Sequence, residues 1–184
     1  MTNRIDINQI KYVIKIIKYK NITKKERNEI KNLFKKCEKE LCDEVPDFIS
    51  ENKFLGHPNP PFTTTIFLLY VNKKLVGFLA MSSLILRGKI FQKPLEKYLI
   101  KNKKGAYLWW ICGDNKYKHV SNPLFNVFNK YLSKNQYNYV LLVMEKEKNG
   151  NGLMKLYMNQ KYKQIGFTTF ILKDDMIVMK KIIL

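Results

Sequence analysis

The chain has 184 residues, 46% of them apolar and 13% aromatic, which suits one domain with a sizeable core. No stretch reaches the ~18 apolar residues of a membrane span, and the mixed polar start from Met1 to Ile10 lacks the apolar region of a secretory signal. The formal net charge is +19, which opens a nucleic-acid reading, but Arg4, Arg27 and Arg87 are the only arginines.

Nucleic-acid readers rely on arginine for bidentate and stacked contacts. Here the lysines are spread along the chain, so the charge reads first as background that attracts an anionic ligand. Cys37, Cys42 and Cys112 are too few and too scattered for a disulfide framework or a zinc site. At about 100° per residue, Cys37 and Cys42 point about 140° apart on a helix. The expected setting is reducing and cytoplasmic.

In chain order, the β-favouring Tyr12-Val13-Ile14 and Ile16-Ile17 within residues 7–20 predict a first strand. Thr23-Lys24-Lys25-Glu26 is a capping box, and Ile30, Leu33, Phe34, Cys37 and Leu41 then recur at helical spacing, which predicts a helix over 24–42. A second, weaker helix precedes the proline-rich loop at Gly56–Pro61, where regular structure is forbidden. Thr63–Val71 and Lys74–Ser82 predict a hairpin turning at Asn72-Lys73. Residues 86–105 are polar and lysine-rich and read as an insertion or lid loop.

Ala106–Cys112 is an apolar strand carrying Trp109 and Trp110 on alternate faces, one for the core and one for the core or an acceptor site. Asn122-Pro123 predicts a helix start, with Asn as cap and Pro at the first helical position. Tyr139–Met144 is continuously apolar, as in a strand buried on both faces of a parallel pair. Asn149-Gly150-Asn151-Gly152 opens a further helix, and a closing hairpin of Phe167–Lys173 and Met176–Ile183 turns at Asp174-Asp175. The order predicts an α/β (α+β) fold with a mixed sheet in a single domain over residues 1–184.

Tyr162-Lys163-Gln164-Ile165-Gly166-Phe167 resembles the "YEKLGF" signature of the GNAT superfamily of N-acetyltransferases, and Leu75-Val76-Gly77-Phe78 is similar to that family's "IVGF" strand. The resemblance covers residues 8–184. It implies a GNAT-like fold, the signature at the end of the last helix, and transfer of an acetyl group from acetyl-CoA to a primary amine of unknown acceptor by direct attack. The family's phosphate loop reads Arg/Gln-x-x-Gly-x-Gly/Ala. Here Lys118 takes the arginine position, while His119, Ser121 and Pro123 fall where glycines are usual.

On that resemblance the cofactor contacts are Lys118, His119, Val120, Ser121, Asn122, Leu124 and Asn151, with Ile111, Cys112 and Gly113 offering backbone to the thioester oxygen across a bulge at Gly113. The family's acid for the leaving thiolate matches Tyr162, with Tyr157 as rival because its helix is about a turn longer than usual. Glu145 is a candidate to orient or deprotonate the amine, or a solvated strand-end charge. Cys112 lacks a His–Asp pair and reads as a small core residue before a nucleophile, and His57 and His119 lack ligand spacing, so no metal is expected. The alternatives are a GNAT-like binding module without catalysis, motivated by the glycine-poor loop, and last a lysine-rich nucleic-acid binder.

Overall fold

The computed structural model describes residues 4–38, 64–84, 95–145, 150–170 and 173–183. Its strands are β1 (Ile5–Asp6), β2 (Val13–Lys18), β3 (Thr65–Val71), β4 (Lys74–Ser83), β5 (Gly105–Gly113), β6 (Tyr117–Lys118), β7 (Tyr139–Glu145), β8 (Lys163–Phe170) and β9 (Lys173–Ile182). The helices are α1 (Lys24–Glu38), α2 (Ser121–Lys134) and α3 (Gly150–Asn159). A seven-stranded mixed sheet runs in the order β2-β3-β4-β5-β7-β9-β8, and β1 pairs in parallel with β6 in a separate two-stranded sheet. The predicted mixed-sheet class is therefore the observed one. The second predicted helix, the Gly56–Pro61 loop, His57 and Cys42 lie outside the described residues.

The chain divides into two compact units, Met1–Ser82 with Trp109–Phe128, and Ser83–Leu108 with Asn129–Leu184. In the first, the capping box forms as the sequence predicts. The Glu26 amide donates to the Thr23 hydroxyl at 3.2 Å, and the Glu26 carboxylate accepts from the Thr23 amide at 2.9 Å. Asn72 and Lys73 both take positive φ, 47° and 64°, the conformation that matches the twist of a two-residue hairpin. Ile30, Leu33 and Phe34 of α1 pack on Ile66, Leu68, Phe78 and Ala80 of the sheet. Both tryptophans pack against this cluster. Trp110 meets Phe34 edge-on at 5.4 Å, and Trp109 Nε1 donates to Ser82 Oγ at 2.8 Å.

Glu26 is buried, and burial alone would raise its carboxyl pKa, but hydrogen bonds from Lys15 and Thr23 outweigh that and hold it below its ordinary value of 4.5. A carboxyl with a depressed folded pKa stabilises the fold above its unfolded pKa and loses that contribution as pH falls through the folded value. Urea midpoints are therefore expected to fall as pH drops below about 4.5, and Glu26→Gln to flatten that slope. An unchanged slope would show that other carboxyls set it.

In the second unit, β5 and β7 pair in parallel, β7 and β9 antiparallel, and β8 and β9 antiparallel. The predicted insertion is fastened here along its described part. Leu95 is buried, Tyr98 Oη donates to the Phe167 carbonyl at 2.7 Å, and the Ile100 amide donates to Tyr139 Oη at 3.3 Å.

Three predicted boundaries move. The helix expected to start at Asn122-Pro123 starts at Ser121, so Asn122 lies inside the first turn and does not cap it. Asp174 and Asp175 lie within β9 and not at a turn. The last helix ends at Asn159, which leaves the Tyr162–Phe167 segment beyond it, mostly in β8.

Candidate active site

The first unit carries the loop between β5 and α2. Asp114, 2% exposed, anchors it: its amide donates to the Val76 carbonyl at 2.7 Å, and its Oδ1 accepts from the Lys116 amide at 3.0 Å. Lys74 Nζ stands 3.8 Å from Asp114 Oδ2. His119 takes φ 62°, a left-handed conformation that favours glycine, at one of the positions where the resemblance expects glycine. Its carbonyl accepts from the Asn122 amide at 3.0 Å, and its Nε2 stands 4.0 Å from Asp6 Oδ2. With the Asn122 amide taken and no N–H on Pro123, the turn offers an anion fewer backbone donors than a glycine-rich one. Lys116 and Lys118 are exposed and supply positive charge.

Several expected cofactor residues serve packing with their side chains. Val120 and Leu124 are buried. Gly113 meets a close approach: a Cβ there would lie 2.9 Å from the Val120 Cβ. Ile111 is half-buried in β5 beside Cys112. Cys112 corrects the sequence expectation. It is bonded to Cys37 in a disulfide with a Cα–Cα distance of 6.5 Å. The two residues are 75 apart in sequence, and no local spacing signals that α1 and β5 bring them together.

In the second unit Tyr107, Tyr157 and Tyr162 are among the buried residues. The parallel ladder between β5 and β7 pairs Gly105 with Tyr139, Ala106 with Val140 and Tyr107 with Leu141, and no pairing follows at Leu108 and Leu142. Where it ends, the Tyr107 hydroxyl accepts a hydrogen bond from the Val143 amide, two residues further along β7. Burial pushes the Tyr107 phenol pKa well up, and the charge of Tyr157 adds to this.

Tyr157 lies in the last turn of α3, and its ring meets that of Tyr162 edge-on at 5.6 Å. Five residues apart on one helix, these two would point about 140° apart. The structure brings them together because the helix closes first. Lys161 takes φ 66°, its amide donates to the Met158 carbonyl at 2.9 Å, and the Tyr162 amide donates to the Tyr157 carbonyl at 3.1 Å. This is the paired bonding of a Schellman motif, whose usual accompaniment is an apolar contact between the residues that Tyr157 and Tyr162 occupy here.

Tyr162 is 2% exposed, and its hydroxyl has no hydrogen-bond partner among the described residues. Burial, then the neighbouring Tyr157, holds its phenol pKa well above 10. Lys181 Nζ stands 5.8 Å from the Tyr162 ring centroid and donates to Asn129 Oδ1 at 2.9 Å. Burial lowers the Tyr157 hydroxyl's acidity too. Glu145 ends β7, paired with Met176, and Asn151 stands in the first turn of α3. Sequence reasoning missed Tyr107 and Val143. The available signal was a hydroxyl-bearing residue in an otherwise apolar strand.

No protein-family model matches the chain, and no curated protein matches it. Solved structures do. FeeM, an N-acyl amino acid synthase from uncultured soil microbes, aligns with a TM-score of 0.68 at 14% identity, over 94% of this chain and 91% of that one. Arabidopsis thaliana NAA60, in complex with acetyl-CoA, aligns at 0.63 and 12% identity over 94% and 99%. An acetyltransferase of the GNAT family from Staphylococcus aureus Mu50 aligns at 0.62 and 12% identity over 94% and 100%. The fold is that of the GNAT acyltransferases.

Proposed function

We propose that this chain is an acetyl-CoA-dependent N-acetyltransferase that moves an acetyl group to a primary amine by direct attack. The observation that carries the reading is the end of the β5–β7 ladder beside the tyrosine cluster. There a peptide N–H of β7 is met by a side chain instead of a strand, as a site for an extended amide-bearing arm requires. Acetyl-CoA is the donor substrate.

In the transfer, the amine nitrogen bonds to the thioester carbon, the carbon–sulfur bond breaks, and the sulfur leaves as thiolate. An alkyl ammonium of pKa about 10.4 is only ~1 part in 2,500 neutral at pH 7, so its proton must be removed first. Glu145, at the end of β7, is our candidate to accept it directly or through water. Tyr157 is our candidate to protonate the thiolate, and the second proton that the nitrogen sheds on becoming an amide restores the phenol through solvent. Tyr157 is preferred over Tyr162 for a structural reason. In Tyr157-Met158-Asn159-Gln160-Lys161-Tyr162 a left-handed residue closes the helix four places after a tyrosine. That is the place the family signature gives its glycine.

Isothermal calorimetry with acetyl-CoA tests the proposal. The expected result is saturable binding at micromolar concentration, and no heat up to millimolar acetyl-CoA would overturn it. A second reading, a binding module without catalysis, draws on the taken-up amide of Asn122 and the absent one of Pro123. Its signature is acetyl-CoA binding with no CoA released in the presence of any amine.

A further inference from the structure

We propose that Tyr107 sets the size of the acyl group, admitting acetyl and turning away longer chains. The inference rests on the transferase reading above. Tyr107 is the last β5 residue paired with β7, and its ring is 5% exposed. Its hydroxyl is held by the Val143 amide, so the ring spans from one strand to the other where their pairing ends. A phenylalanine would fill the same space. Burial holds the ring in place, so it stands as a wall with or without that hydrogen bond.

Tyr157 is near enough to Tyr107 to weigh on its ionisation. A thioester whose arm lies where the β5–β7 ladder ends has the Tyr107 ring as a neighbour. Its acyl group meets a packed aromatic wall. Packed interiors yield little to an added methylene, and an apolar pocket discriminates about tenfold or more per methylene it cannot fit.

Binding of unreactive S-alkyl-CoA thioethers tests this without knowledge of the acceptor. Calorimetry with S-ethyl-, S-butyl- and S-hexyl-CoA should show wild-type affinity falling at least about tenfold from ethyl to butyl. Tyr107→Ala should abolish or reverse that fall, and Tyr107→Phe should keep it. Should Tyr107→Ala not fold by circular dichroism, Tyr107→Leu carries the same comparison. Equal wild-type affinities for ethyl and butyl, or an unchanged ratio in a folded small-residue variant, would overturn the role of Tyr107 and leave the transferase reading standing. Failure of the wild-type protein to bind any of the three would remove both.

Discussion

Tyr157→Phe is expected to lower turnover by roughly a hundredfold or more, the range of a lost general acid, while Tyr162→Phe keeps it within about twofold. The readout is free CoA released with whichever primary amine supports the wild-type reaction. The contrast follows from the environments of the two hydroxyls. Tyr157 is close enough to raise the pKa of Tyr107, whose hydroxyl meets the Val143 amide where the β5–β7 pairing stops. Tyr162 has Lys181 over its ring and no partner for its hydroxyl among the described residues. An unpaired buried hydroxyl contributes no stabilising hydrogen bond, so Tyr162→Phe should leave stability unchanged or raise it by about 1 kcal/mol. Burial holds both phenols protonated through neutral pH, so neither should give an alkaline limb below about pH 10. The reverse outcome, full activity in Tyr157→Phe and loss in Tyr162→Phe, would move the acid role to Tyr162.

Loss of the Cys37–Cys112 disulfide is expected to have the largest effect on stability. The bond closes a separation of 75 residues between the last turn of α1 and β5. On the chain-entropy account, a loop of that length is worth about 4 kcal/mol. For a chain of this size that is a drop of about 10 °C in Tm. Cys37→Ala and Cys112→Ala should each melt lower by that amount, and dithiothreitol should lower the wild-type melt toward theirs while leaving the variants unmoved. Thiol titration of the denatured, unreduced protein should find one reactive thiol of the three cysteines. Three reactive thiols in freshly purified protein, with melts indifferent to reductant, would contradict the bond.

The readable parts of the sequence were those whose cause is local. Thr23 and Glu26 announce a helix start because the two partners are three residues apart. Asn72-Lys73 announces a turn because apolar runs flank it on both sides. The parallel pairing of β5 with β7 followed from a helix between two apolar runs.

What escaped had no local sign. The helix-closing residue is a lysine in a left-handed conformation, so the signature's glycine matches five residues later, at Gly166. There the missing side chain serves the approach of the Tyr98 ring, with Cε1 at 3.0 Å from an added Cβ. The cysteine pair was judged by number and spacing, whereas tertiary packing decides it. Val120 and Leu124 read as loop contacts for a cofactor, yet the sheet claims their side chains. The tyrosine cluster joins β5, α3 and the residue just before β8, and a single sequence contains no signal of that convergence.

A structure with a bound, unreactive acetyl-CoA thioether would test the central claim most directly. We predict the pantetheine arm against β7 at Val143, in the place of the Tyr107 hydroxyl's present bond, with the sulfur within hydrogen-bonding reach of Tyr157. A β5–β7 ladder continuing past Tyr107 and Leu141, or a ligand bound away from both tyrosines, would contradict it.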